Sequence, residues 1–72
     1  MVEIFKTNIT TKRLAGRVLK ALSAHLPAYS FNFDLEDCDR ILRAQSEYAA
    51  LQINEVIAIV NGLGAEIYLF ED

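Results

Sequence analysis

Residues 29–43 read Tyr29-Ser30-Phe31-Asn32-Phe33-Asp34-Leu35-Glu36-Asp37-Cys38-Asp39-Arg40-Ile41-Leu42-Arg43, and this stretch decides the fold. Tyr29, Phe31, Phe33 and Leu35 alternate with Ser30, Asn32 and Asp34, the period of two expected of a strand with one buried face. The acidic run Glu36-Asp37-Cys38-Asp39 makes a bend, and Arg40-Ile41-Leu42-Arg43-Ala44 reads as a second strand. A hairpin therefore stands at the centre of the chain, with a helix-length segment on either side.

Upstream, residues 2–7 form a short strand, with Val2 and Ile4 on one face and Glu3, Phe5 and Thr7 on the other. Asn8-Ile9-Thr10-Thr11 supplies side-chain acceptors for a helix N-terminus. Leu14, Val18, Leu22 and Leu26 then recur every four residues, with Ala15 and Leu19 beside them, as the apolar stripe of an amphipathic helix that Pro27 ends. Downstream, residues 45–50 are ambiguous between loop and helical turn. Ile53, Val56, Ile57 and Val60 mark a second helix, closed by Asn61-Gly62-Leu63-Gly64, where glycine suits a left-handed cap. Residues 65–70 make the last strand, with Ile67 and Leu69 opposite Glu66, Tyr68 and Phe70.

The order strand, helix, strand, strand, helix, strand, with right-handed crossovers and a central hairpin, predicts an α+β fold. It is the ferredoxin-like α/β plait, a four-stranded antiparallel sheet with both helices on one face and strand order four-one-three-two. Chain direction then brings residues 8–11, 36–39 and 62–65 to one end and leaves His25 at the other. A Cys38–His25 pair within one subunit is thereby excluded.

The whole chain of 72 residues makes one domain, residues 1–72, and its 53% hydrophobic content is enough for a compact core. Domains this small are marginal unless stapled. One cysteine forms no internal disulfide and one histidine offers little to a metal, so association with a partner is the expected staple. A net charge of −3 opposes nucleic acid or anionic lipid as an obligatory partner. No signal peptide is visible, and no apolar run approaches the roughly 20 residues of a membrane span. The expectation is a cytoplasmic protein without a membrane partner.

The chain resembles the heavy-metal-associated domain, the plait of copper chaperones and metal-pumping ATPases. In that family a Gly-Met-Thr-Cys-x-x-Cys loop precedes a helix with a Val-Glu-Lys-Ala-Leu-like run. Val18-Leu19-Lys20-Ala21-Leu22 matches the run, which lays Asn8-Ile9-Thr10-Thr11 over Gly-Met-Thr-Cys and Leu14 over the second cysteine. Val60-Asn61-Gly62-Leu63-Gly64 matches the family's closing turn, with Ala65 where an aromatic is common. The resemblance implies the plait fold. Thr11 and Leu14 depart from the metal loop, since a hydroxyl and a hydrocarbon do not replace the thiolates that bind Cu(I) or Zn(II). No metal ligand and no cofactor is carried over.

Cys38, with Asp37 and Asp39 beside it, is the remaining metal candidate: a relocated site in which its thiolate and the carboxylates bind a borderline metal, with a dimer as the route to a two-sulfur site. Against it, neighbouring carboxylates raise a thiol's pKa, and a solvated acidic turn needs no metal. No nucleophile, base and orienter can be assembled, and the carboxylates of the bend lack a pocket to split their pKa values, so the chain is not expected to be an enzyme. The sheet face away from the helices is the remaining surface. Phe5, Tyr68 and Phe70 are placed on it, with Ile41 and Arg43, as the contact residues of a homodimer or of another protein partner. Stacking of single-stranded RNA on the same face lacks an aromatic pair on the third strand and meets an acidic chain. The reading is a non-enzymatic interaction module of heavy-metal-associated type, the alternative a metal carrier or sensor using Cys38. A small-ligand module between paired plaits is supported by topology alone.

Overall fold

The computed structural model describes residues 1–36, 40–47 and 51–70. Six elements follow in the order β1 (Val2–Thr7), α1 (Lys12–His25), β2 (Ser30–Asp34), β3 (Ile41–Gln45), α2 (Ile53–Gly62) and β4 (Ile67–Leu69). The strands form one antiparallel sheet in the order β2-β3-β1-β4, the predicted order of the plait. Both helices pack on the same face, α1 against β2 and α2 against β4, and the thinnest dimension of the Cα trace is 17 Å, as two layers require.

Local chemistry sets the helix ends. Thr11 is extended (φ −114°, ψ 145°), and its hydroxyl accepts the N–H of Leu14 at 3.2 Å, satisfying one of the four orphan donors of the first turn. At the other end Leu26 N–H donates to Leu22 O at 2.8 Å, and Pro27 follows. α2 stops through Gly64, which takes φ 88° and donates its N–H to Asn61 O at 3.0 Å, the left-handed turn that the glycine pattern predicts.

Directly opposed residues in the ladders share a face, so the registers fix which side chains point at the helices. Phe5 opposes Leu42 on one side and Leu69 on the other; Phe33 opposes Leu42, Phe31 opposes Ala44, and Thr7 opposes Ile67. With Ala15, Val18 and Leu22 of α1 and Val56 and Val60 of α2, the apolar residues among them build one core. Phe5, Ile9, Leu22, Leu42, Val18, Val56 and Val60 are fully buried, each large side chain contributing roughly 1.5–3 kcal/mol relative to exposure.

The phase of β1 is opposite to the sequence expectation. Phe5, expected on the open face, is completely buried at the centre of the core, whereas Val2, expected inward, is 52% exposed, and Ile4 lies on the open face across from Arg43. The physical reason is that β1 is apolar on both faces, so alternation alone does not fix its phase; the registers against Leu42 and Leu69 do. The helical stripe is also rotated slightly, with Ala15 buried and Leu14 half-buried. The hairpin strands start one residue later than expected, at Ser30 and Ile41, and β4 is shorter, beginning at Ile67. Tyr29 precedes β2 and donates its N–H to Leu26 O at 3.1 Å.

Candidate functional site

Two places qualify as sites: the loop end ahead of α1 and the open face of the sheet. At the loop end, Thr7 closes the turn that leaves β1. Its hydroxyl accepts Ile9 N–H at 3.2 Å and donates to Arg40 O at 2.7 Å, tying the start of β3 to the approach to α1. Asn8 and Glu66 clasp the entry to β4: Asn8 N–H donates to Glu66 O at 3.2 Å, Glu66 N–H to Asn8 Oδ1 at 2.9 Å, and Asn8 Nδ2 to Glu66 Oε2 at 3.1 Å. Arg40 adopts φ 51°, a left-handed conformation uncommon outside glycine, and its Nη1 donates to Leu35 O at 2.6 Å. β1 and β3, β3 and β2, and β1 and β4 are thus tied together at this end; of the expected loop 36–39, residues 37–39 lie outside the described residues. Cys38, Asp37 and Asp39 lie outside the described residues.

Ile9 escaped sequence reading. It is fully buried although it sits in a polar loop. The available signal was a single large apolar residue flanked by Asn8 and Thr10, where a solvated capping loop would carry none.

Thr11 and Leu14 stand at the first turn of α1, where the resemblance places them. Thr11 Oγ1 is engaged as the helix cap, and Leu14 packs half-buried against the core. A neutral hydroxyl accepting a backbone N–H and a hydrocarbon side chain do not fit a soft metal ion. Among the described residues, no group of three or more His, Cys, Asp and Glu side chains comes together to hold one.

The open face is built from the outward residues of each strand: Val2, Ile4 and Lys6; Ser30, Asn32 and Asp34; Ile41, Arg43 and Gln45; and Tyr68, with Phe70 next to it. Arg43 reaches across β2, donating to Asn32 Oδ1 at 3.2 Å and to Asp34 Oδ2 at 3.4 Å. Lys6 Nζ lies 4.9 Å from the centre of the Phe70 ring, within cation–π range. Phe70 N–H donates to Ile4 O at 2.8 Å, continuing the β1–β4 ladder past β4. Of the five residues expected as contacts, Tyr68, Phe70 and Arg43 are on this face, and Phe5 is not. Ile41 is on it but only 6% exposed, set between Lys6 and Asp34 in the ladder, so it offers little surface.

No protein-family model matches the chain, and no curated protein matches it. Among solved structures, that of the yeast copper transporter domain CCC2A, determined in apo and Cu(I)-loaded states, aligns with 99% of this chain and 96% of its own, at a TM-score of 0.79 and 11% sequence identity. The chain shares the fold of that domain. At that identity the likeness is one of backbone and topology, and it agrees with the expectation drawn from the helix run and the closing turn. The copper that CCC2A binds belongs to that protein. Within the plait of this chain, the positions matched to the cysteine loop carry a helix cap and a packing residue.

Proposed function

We propose that this chain is a non-enzymatic interaction module built on the heavy-metal-associated plait, and that its open sheet face pairs with a second copy. The observation that carries this reading is where the exposed apolar residues fall. The large hydrophobic side chains exposed among the described residues are Met1, Val2 and Tyr68; Val2 and Tyr68 point from the helix-free face, and Met1 adjoins Val2 at its rim. The outer surfaces of both helices carry none of them. The face is broad enough, since the Cα trace spans 30 × 28 Å in the plane of the layers, of the order of the ~800 Å² per partner that a standard interface buries. The contact set is Val2, Ile4, Tyr68 and Phe70, with Arg43 at its polar side. No helix of the described chain is long and apolar enough to cross a membrane, and a cytoplasmic setting is proposed with this function.

Sedimentation equilibrium tests the reading. The wild type is expected to sediment as more than one chain, and Tyr68→Glu to lower that mass by removing association through the open face while leaving the far-ultraviolet spectrum unchanged. A wild type that stays at one chain at high micromolar concentration removes it. The fold itself supports one competing reading, metal carriage. Tight, saturable binding of Cu(I) that is lost in Cys38→Ser would move the function to that class.

A further inference from the structure

The edge of β2 lies apart from the open face. Backbone directions can be followed across the sheet from the hydrogen bonds at its margins. Phe70 N–H donates to Ile4 O at 2.8 Å and Asn8 N–H to Glu66 O at 3.2 Å, so Ile4, Lys6 and Asn8 turn their backbone groups toward β4. The alternation of an antiparallel ladder then turns Glu3, Phe5 and Thr7 toward β3. Leu42 and Ala44 answer them, in step with Ser46 N–H, which donates to Met1 O at 2.8 Å. Ile41, Arg43 and Gln45 consequently face β2, where they pair with Asp34, Asn32 and Ser30. The N–H and C=O groups of Phe31 and Phe33 are left pointing outward from the sheet.

That outward run is closed at both ends by the chain itself. Tyr29 N–H donates to Leu26 O, and Leu35 O accepts from Arg40 Nη1. Among the described residues β2 has β3 as its one strand neighbour. The strand carries none of the usual protections of an exposed edge: no proline, no lysine, and one charge, Asp34, already paired with Arg43 at 3.4 Å.

We propose that this edge takes a second copy of the chain by antiparallel strand addition about a two-fold axis at Asn32. In that register Phe31 and Phe33 of one copy exchange both backbone hydrogen bonds with Phe33 and Phe31 of the other, which satisfies all four outward groups. On the helix side, the half-buried Phe31 and Phe33 rings become cross-strand aromatic pairs. On the open side, Ser30 stands opposite Asp34, a hydroxyl donor against a carboxylate. Asn32 stands opposite Asn32; its Oδ1 accepts from Arg43, leaving the amide N–H groups to donate across the axis. No like charges are opposed. The edge at β4 is a poorer match, because the strand has three residues and a register centred on Tyr68 sets Glu66 against Phe70.

The edge lies in the plane of the sheet and the open face lies normal to it, so the site is independent of the pairing proposed above. Hydrogen exchange of the full chain by NMR, together with sedimentation equilibrium, tests it. The Phe31 and Phe33 amides are expected to exchange progressively more slowly as concentration rises. Asn32→Lys, which sets two cations across the axis, is expected to abolish that concentration dependence and this association, with Tyr68→Glu leaving the protection of Phe31 and Phe33 intact. Phe31 and Phe33 amides that exchange equally fast at every concentration overturn the proposal, as does protection that survives Asn32→Lys. If Tyr68→Glu alone dissociates the protein while these amides stay unprotected, the edge is excluded and the open-face reading stands.

Discussion

Replacing Phe5 with alanine separates the two possible phases of β1 by several kilocalories. Phe5 is fully buried, opposed by Leu42 on one side and Leu69 on the other, with the helix layer above. A buried aromatic side chain removes about 150–250 Å² from water. At about 25 cal/mol per Å² this is roughly 4–6 kcal/mol for the whole side chain, of which alanine keeps only the β-carbon. Measured losses for Phe→Ala in cores are about 3–5 kcal/mol, including the cavity left behind. The total stability of a 72-residue domain at about 0.05–0.15 kcal/mol per residue is roughly 4–11 kcal/mol, so Phe5→Ala should remove a large share of it. Urea unfolding followed by circular dichroism, read at constant m-value, measures the loss. The companion Tyr68→Ala, 61% exposed on the opposite face, should shift monomer stability by no more than about 0.5 kcal/mol. If Phe5→Ala costs less than about 1 kcal/mol, or if Tyr68→Ala costs as much as Phe5→Ala, the assignment of inner and outer faces is wrong.

Thr11→Ala removes the hydroxyl that accepts Leu14 N–H and should lower stability by about 1 kcal/mol, whereas Thr11→Ser, which keeps the acceptor, should lose little; chemical denaturation distinguishes them. Gly64→Ala meets no atom within 4 Å, so its cost isolates the backbone strain of holding an L-residue at φ 88°, about 1–2 kcal/mol in the same assay; a neutral result would mean that the turn closing α2 relaxes.

The fold was legible in the sequence because its strongest signals were long-range consistent. The alternation of residues 29–35, the stripe Val18, Leu22 and Leu26 and the glycine turn after Val60 each specify an element, and few topologies join six elements in that order. Gly64 at φ 88° is where the turn pattern puts it. The face of β1 was not legible for a physical reason. Val2 and Ile4 alternate with Phe5 in a strand that has hydrocarbon on both sides, and the sum of hydrophobicity does not choose between them. Volume and position do choose: Phe5 sits where β3 and β4 both flank β1, at the thickest part of the core, whereas Val2 lies beyond the end of β4. The same limit applies to Ile41. It lies on the open face as its alternation indicates, yet it is only 6% exposed between Lys6 and Asp34 in the ladder, and a single-strand pattern does not report what neighbouring strands bury.

The loop ahead of α1 explains how the scaffold keeps its shape with Thr11 and Leu14 at the positions matched to cysteines. Such a turn has to satisfy the orphan N–H groups of the helix start and fix the path between strand and helix. In this chain side chains do both. Thr7 Oγ1 takes Ile9 N–H and gives its proton to Arg40 O, Thr11 Oγ1 takes Leu14 N–H, and Asn8 is bonded three ways to Glu66. Ile9, fully buried, anchors the middle of the loop in the core. Each of these contacts is internal to the chain and neutral or singly charged, so the loop's geometry follows from hydrogen bonding and burial. Among the described residues, the open sheet and the edge of β2 are where exposed hydrocarbon and outward-pointing backbone groups are found, which is why both association proposals rest on them.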